Sequence, residues 1–171
     1  MNETCRNSSE RLFALMQDMD KDELFDALYT DVLTGVFNRR AFESELEDRF
    51  VAIIDVDSLK WVNDNLSYRV GDVLLCSVAK ILLSVFDKVY RLSGDEFVVG
   101  GENLVDLIRS ADAAQYESPF ISYGIGRNLP EANDRLKTSK LTRERTNLRS
   151  PRGIEPPWID QFRTAVRKGI S

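Results

Sequence analysis

The sequence predicts an α/β sandwich, a mixed β-sheet with helices packed on one or both faces, and three observations carry that reading. The apolar run Phe50-Val51-Ala52-Ile53-Ile54 ends in the acidic cluster Asp55-Val56-Asp57. Two further runs, Lys88-Val89-Tyr90 and Phe97-Val98-Val99, flank the tight segment Arg91-Leu92-Ser93-Gly94-Asp95-Glu96. Stretches of helical periodicity alternate with these runs, in the order strand, helix, hairpin, helix, strand, helix.

Taken along the chain, Ser8 or Ser9 is placed to cap a helix from Glu10 to Tyr29. Its apolar face holds Leu12, Phe13, Met16, Met19, Leu24, Phe25 and Leu28, and serves either a dimer or the helix's own domain. Asp31 to Gly35 reads as a turn, and Asn38 caps a short helix from Arg39 to Asp48. The span from Arg49 to Asp55 is nearly all apolar, as a central strand should be. Ser58 to Leu66 is helical, and Gly71 opens a longer helix to Phe86 that buries Leu74, Val78, Ile81 and Leu82. Strands at Val89 to Leu92 and Glu96 to Val99 form a hairpin through the Ser-Gly-Asp turn. A helix from Glu102 to Gln115, a strand from Phe120 to Ile125 and a helix from Leu129 to Leu141 follow. Pro151, Pro156 and Pro157 break the chain before a last amphipathic helix, Trp158 to Lys168. The division is an N-terminal helical extension (1–30), a main domain (31–147) and a basic C-terminal extension (148–171).

Composition narrows the chemistry. With 171 residues, 43% hydrophobic and 30% charged, the chain is long enough for one well-cored domain. No apolar run approaches the roughly 18–20 residues that cross a bilayer, and Met1 to Asn7 lacks a signal core, so the cytoplasm is expected. Cys5 and Cys76 make neither a disulfide framework nor a zinc spacing. With no histidine, a Ser-His-Asp triad, a Cys-His pair and histidine-ligated metals are excluded. Carboxylates with a hard cation remain, and Mg²⁺ or Mn²⁺ fits them best.

Charge is distributed unevenly. Residues 1–134 carry 13 basic and 25 acidic side chains, a net −12, whereas residues 135–171 carry 10 and 3, a net +7. The basic tail either packs on the acidic body or binds phosphate. A nucleic-acid partner is disfavoured, because no aromatic residues interleave its Arg and Lys.

The acids at the two strand ends carry the sharpest expectation. If one sheet brings the end of the first strand beside the hairpin tip, Asp55 and Asp95 converge. Each could then give Mg²⁺ an oxygen, with the Val56 carbonyl supplying another and phosphate and water completing the shell.

Four ordered motifs add a resemblance. Asp31-Val32-Leu33-Thr34-Gly35-Val36-Phe37-Asn38-Arg39-Arg40 resembles the opening motif of the GGDEF-domain diguanylate cyclases. Asp55 to Asp64, followed by Gly71-Asp72, resembles that family's metal- and base-binding segment. Arg91-Leu92-Ser93-Gly94-Asp95-Glu96-Phe97 resembles the signature hairpin, and Ser122-Tyr123-Gly124-Ile125-Gly126 with the helix to Lys140 resembles the last motifs. The resemblance runs from Asp31 to Lys140. It implies a palm-like, nucleotidyl-cyclase-type mixed sheet surrounded by helices, condensing two GTP into cyclic di-GMP and two pyrophosphates across a homodimer.

Carried over residue by residue, the resemblance makes Asp55, Asp95 and the Val56 carbonyl the metal ligands. Glu96 assists the metal or activates the 3′-hydroxyl. Asn63 and Asp72 read guanine, whose N1–H and 2-amino donors adenine lacks. The N–H groups of Ser58 and Leu59, with Lys60 and Lys140, face the phosphates, and Ser93 and Gly94 lie against the substrate.

This sequence also departs from the pattern. Ser93 replaces the first glycine of the signature, Leu66-Ser67-Tyr68 replaces Phe-Gly-His, and Glu144 stands where a phosphate-binding arginine is expected, between Arg143 and Arg145. The product-inhibition motif Arg-x-x-Asp reads Ser84-Val85-Phe86-Asp87 and is degenerate. The segment from Gly101 to Leu129 is short, which predicts a less covered far edge of the sheet. The rival readings are a catalytically degenerate domain that binds GTP or cyclic di-GMP, and a palm enzyme making another nucleotide.

Overall fold

The computed structural model describes residues 13–14, 16–45, 50–146, 148–151 and 153–167. Its elements are α1 (Lys21–Tyr29), β1 (Phe37–Asn38), α2 (Arg39–Glu45), β2 (Phe50–Val56), α3 (Leu59–Asn65) and α4 (Tyr68–Val85). There follow β3 (Tyr90–Ser93), β4 (Glu96–Gly101), α5 (Leu104–Glu117), β5 (Ile121–Gly126), α6 (Leu129–Arg145) and α7 (Ile159–Arg167).

The five strands form one mixed sheet in the order β1-β3-β4-β2-β5. Only the β1–β3 pair is parallel; β3–β4, β4–β2 and β2–β5 are antiparallel. Strand β2 is paired on both sides and buried from Val51 to Val56, as its unbroken apolar run requires. Its alternation assigns the two faces of the sheet. Ala52, Ile54 and Val56 join the core with Leu74, Val78, Phe97, Leu107 and Phe162, under α4, α5 and α7. Val51 and Ile53 point the other way and meet Ala41, Phe42, Ala132 and Leu136 of α2 and α6. The fold is thus an α+β sandwich with helices on both faces, as the sequence predicts.

Several boundaries differ from expectation. The helix expected from Glu10 to Tyr29 is interrupted: Asp18 and Met19 bend, and Asp20 starts α1 afresh. Asp20 accepts hydrogen bonds from the N–H groups of Asp22 and Glu23, while Glu23 accepts from the Asp20 N–H, a reciprocal cap. Ser8, Ser9, Glu10, Leu12 and Cys5 lie outside the described residues, as do 46–49 and Lys168, on which three other expected boundaries fall. No residue of α1 is buried, and Phe25 is 45% exposed.

Helix α4 begins at Tyr68, not Gly71, because the Ser67 Oγ accepts the Val70 N–H at 3.2 Å. Helix α5 starts after Asn103, which accepts from the Val105 N–H, and runs to Glu117. Helix α6 is a turn longer than expected and ends at Arg145. Strand β3 runs on through Ser93, with a bulge before it, so the hairpin turn is Gly94-Asp95. The far edge is not left bare either: Ile121, Ser122, Gly124, Ile125 and Gly126 of β5 are all buried. No helix among the described residues is long and apolar enough to cross a membrane.

Helix α6 reaches β5 backbone to backbone. A Cβ at Gly124 would fall 2.1 Å from the Leu136 nitrogen and 2.3 Å from the Ala132 carbonyl oxygen. Neither atom belongs to a side chain that could swing away. Gly124→Ala is therefore expected to cost about 3 kcal/mol, the upper end of overpacking penalties, read as a lower midpoint in urea denaturation.

Candidate active site

One cavity of about 520 Å³ opens at the β2–α3 end of the sheet. Asp55 and Val56 of β2, Asp95 of the hairpin and Lys140 of α6 line it. Ser58, Leu59, Lys60, Trp61, Asp64 and Asn65 form a second wall, and Arg149, Ser150 and Gly153 a third.

The sheet register brings the acids together. Asp55 lies opposite Glu96 across the β2–β4 pair, and the Val56 N–H donates to the Asp95 carbonyl at 2.9 Å. The hairpin that carries Asp95 is held from outside. Arg91 donates from Nη2 to the Gly94 carbonyl at 2.7 Å and from Nη1 to Asp31 Oδ1 at 2.9 Å. Thr34 donates to the same Asp31 oxygen through its N–H and its hydroxyl. Burial raises the Asp31 carboxyl, but these hydrogen bonds from Thr34 and Arg91 outweigh it and hold the group below its ordinary value.

Asp55 is 6% exposed, and the Lys140 Nζ sits 2.6 Å from its Oδ2. Burial pushes its carboxyl up to about 6 from an ordinary 3.8; Lys140 pulls down, while Asp95 and Asp57 push up. Asp57 has no exposure at all. Ser122 Oγ lies 2.9 and 2.8 Å from its two oxygens, Arg149 Nε donates at 2.7 Å and Arg143 Nε is 3.4 Å away. Burial still outweighs these partners and raises its carboxyl.

The other predicted residues divide. Ser58 occupies the left-handed region, φ 63° and ψ 20°, and turns the chain from β2 into α3. Lys60 lines the cavity and pairs with Asp64 at 2.9 Å. Ser93 does not have positive φ, so it fits its turn without strain, and its Oγ donates to Glu96 at 2.9 Å. Glu96, Ser93 and Gly94 belong to the same hairpin but do not line the cavity.

Neither do Asn63 and Asp72. Asn63 Oδ1 is buried without a partner, and a Cβ at Gly71 would fall 1.9 Å from it. Asn63 therefore packs against Gly71, the residue before Asp72. Ser84 donates to the Ile81 carbonyl, and Asp87 lines a separate cavity with Lys88, Glu102 and Asp106.

Sequence reasoning missed Trp61, Asp64, Asn65, Arg149, Ser150 and Gly153 as lining residues. The first three lie within five residues of Lys60 on α3, so a helix starting at Leu59 was their signal. Arg149 had only the basic excess of the tail behind it. Of the two arginines that flank Glu144, Arg143 is spent on Asp57 and the Pro119 carbonyl, while Arg145 is exposed.

Comparisons with known proteins bear on the family and the fold. The family described as "Diguanylate cyclase, GGDEF domain" matches residues 28–115. A probable diguanylate cyclase of Escherichia coli K12, DgcI, is 32% identical over 117 residues, 60% of this chain and 26% of its own length. The diguanylate cyclase VdcA of Vibrio cholerae is 33% identical over 99 residues, 52% of this chain and 28% of its own. The chain thus spans about a quarter of these relatives. Among solved structures, the coiled coil and GGDEF domain of DgcB from Caulobacter crescentus, in complex with c-di-GMP, aligns with TM-score 0.60 at 19% identity. That alignment covers 85% of this chain and 94% of the other. The GGDEF domain of TpbB from Pseudomonas aeruginosa aligns with TM-score 0.57 at 23% identity, over 67% of this chain and 90% of its own. Fold and site define a palm-type α+β domain. The chain belongs to the GGDEF-domain diguanylate cyclase family.

The Asp55 shift has a signed consequence. The folded protein holds this proton more tightly than the unfolded chain does. The carboxyl therefore favours folding fully below about pH 4 and loses that contribution as pH rises through about 6. Asp55→Asn, which cannot ionise, is expected to exceed the parent in stability by about 1–3 kcal/mol at pH 7.5 and to match it near pH 4. Chemical denaturation at both pH values, in chelator, checks this.

Proposed function

We propose that this chain is a diguanylate cyclase that condenses two GTP into cyclic di-GMP and two pyrophosphates. The observation that carries the reading is the convergence of Asp55, Asp95 and Lys140 on one cavity within a GGDEF-family frame. The curated relatives named as diguanylate cyclases support it.

The donor set fits a hard divalent cation. Asp55, Asp95 and the Val56 carbonyl offer oxygen atoms, and the Lys140 ammonium already holds positive charge against Asp55. No cluster of three or more candidate metal-ligating side chains is found among the described residues, so Mg²⁺ or Mn²⁺ would draw the rest of its shell from phosphate and water. Bound there, the cation would lower the pKa of the attacking 3′-hydroxyl and neutralise charge on the α-phosphate and the leaving pyrophosphate.

The chain's own residues do the remainder. Lys140, 2.6 Å from Asp55, would turn to the substrate phosphates if a cation took its place at that carboxylate. The N–H groups of Ser58 and Leu59 make no hydrogen bonds among the described residues and lie on the cavity wall, available to phosphate oxygens. Lys60 adds charge at the rim. Asn63 Oδ1, costly while buried and unpartnered, gains a donor by turning to a guanine. Asp72, exposed on α4, accepts from guanine N1–H and the 2-amino group. Glu96 sits across from Asp55, positioned to assist the cation or accept the 3′-hydroxyl proton. Each domain binds one GTP, so two chains face each other with twofold symmetry, in the cytoplasm where GTP is available.

Wild-type protein incubated with GTP and Mg²⁺ or Mn²⁺ is expected to yield cyclic di-GMP on chromatography, with no product from ATP and none from Asp95→Ala. GTP bound but unconverted would favour the degenerate binding module, for which Glu144 at the expected arginine position is the specific argument. Ser84 and Asp87 offer no bidentate clamp for a product phosphate. Cyclic di-GMP is accordingly expected to inhibit weakly through that motif, and an inhibition constant of a few micromolar or tighter would contradict it.

A further inference from the structure

The third wall of the cavity lies outside the stretch that the family match covers. The match ends at residue 115, whereas Arg149, Ser150 and Gly153 line the cavity beside Asp55, Asp95 and Lys140. Of these three, Arg149 carries charge, and its side chain is only 16% exposed.

Arg149 is held from two sides. Its Nε donates to Asp57 Oδ1 at 2.7 Å, and its Nη1 donates to Glu144. Asp57 is itself immobilised by complete burial, Ser122 and Arg143. Arg149 Nη2 makes no hydrogen bond among the described residues. A guanidinium backed by carboxylates keeps its charge and its plane, and loses little freedom when its remaining N–H groups meet a phosphate.

The cavity needs such a group. A nucleoside triphosphate is strongly anionic, and of the two lysines that line the cavity Lys60 is paired with Asp64, so the Lys140 that turns from Asp55 to the phosphates needs a further cation beside it. Glu144, one helical turn beyond Lys140, would repel a polyphosphate if left bare. Arg149 covers it.

We propose that Arg149 is the polyphosphate-binding arginine of this cavity. Oriented by Asp57 and screening Glu144, it contacts the β- or γ-phosphate of the bound nucleotide. The proposal rests on the nucleotide reading of the same cavity and adds a ligand from the C-terminal segment.

The experiment is equilibrium binding, by calorimetry, of a non-hydrolysable GTP analogue and of GMP in the presence of Mg²⁺. Arg149→Gln is expected to weaken the triphosphate analogue by about tenfold or more, the scale of a lost charge-assisted contact. GMP, which lacks both outer phosphates, is expected to bind as it does to wild type. Arg149→Lys should recover part of the loss. Glu144→Gln, which leaves Arg149 and Asp57 paired, should tighten the triphosphate analogue several-fold without moving GMP.

Equal losses for the analogue and GMP in Arg149→Gln, or no loss of either, would overturn the assignment. If Arg149→Gln does not fold, Glu144→Gln decides alone: an unchanged ratio of analogue to GMP affinity overturns the assignment. Wild-type protein binding neither ligand would instead remove the nucleotide reading itself, and the Arg149 proposal with it.

Discussion

The rest of the molecule depends on the burial of Asp57. A carboxylate with no solvent exposure must be surrounded by donors or cations, and this one draws its partners from three places. Ser122 comes from the edge strand β5, Arg143 from the last turn of α6, and Arg149 from the chain beyond it. Removing one partner from such a network typically costs about 3–5 kcal/mol, because the charge that remains stays buried. The network therefore draws the end of α6 and the segment after it onto the open end of β2. The chain then continues through Pro151 and Pro156 to Trp158. That indole is 2% exposed and packs against Phe120 at a ring-centroid distance of 4.9 Å. Phe162 closes the aromatic cluster from α7.

This anchoring has an electrostatic counterpart two residues upstream. Asp55 sits between Asp57 and Asp95, and both neighbours, together with burial, oppose its ionisation. A sequence selected for stability alone would not place three carboxylates at one strand end and its neighbouring turn. Lys140 offsets part of the strain, at 2.6 Å from Asp55. A buried acid opposed in this way and offset by a single lysine is a mark of functional sites more than of structural ones, which is what favours the reading proposed for this cavity.

Much of this was legible in the sequence, and what was not has physical reasons. The unbroken apolar run before Asp55 announced a strand paired on both sides, and β2 is that strand. The hairpin letters announced a turn that presents an acid, and the register sets Glu96 opposite Asp55 and the Asp95 carbonyl on the Val56 N–H. The N-terminal helix was read too long because apolar periodicity continues across Asp20, while the local signal, Asp20 followed three residues later by Glu23, acts at the cap alone. The start of α4 was misplaced because Gly71 reads as a helix opener. In the fold it is an interior glycine, where an added Cβ would fall 1.9 Å from Asn63 Oδ1 and the Asn63 side chain would have to turn aside. The Arg149–Asp57 pair spans 92 residues and follows no helical or strand period, so no local pattern could have disclosed it.

The charge asymmetry along the chain acquires a meaning once these contacts are combined. The family match, residues 28–115, contains Asp55, Asp57 and Asp95 and hence the negative half of the site. Lys140, Arg143 and Arg149 all come from the basic stretch 135–171, beyond that match. Of the two readings open for the tail, packing on the acidic body holds for these residues, and it happens at the cavity itself. Two of the three cations are also lining residues. The charge that neutralises the cavity's acids is therefore the same charge that the proposed reading turns toward an anionic substrate. In this arrangement stabilising the fold and shaping the site are one task, carried out by the same side chains.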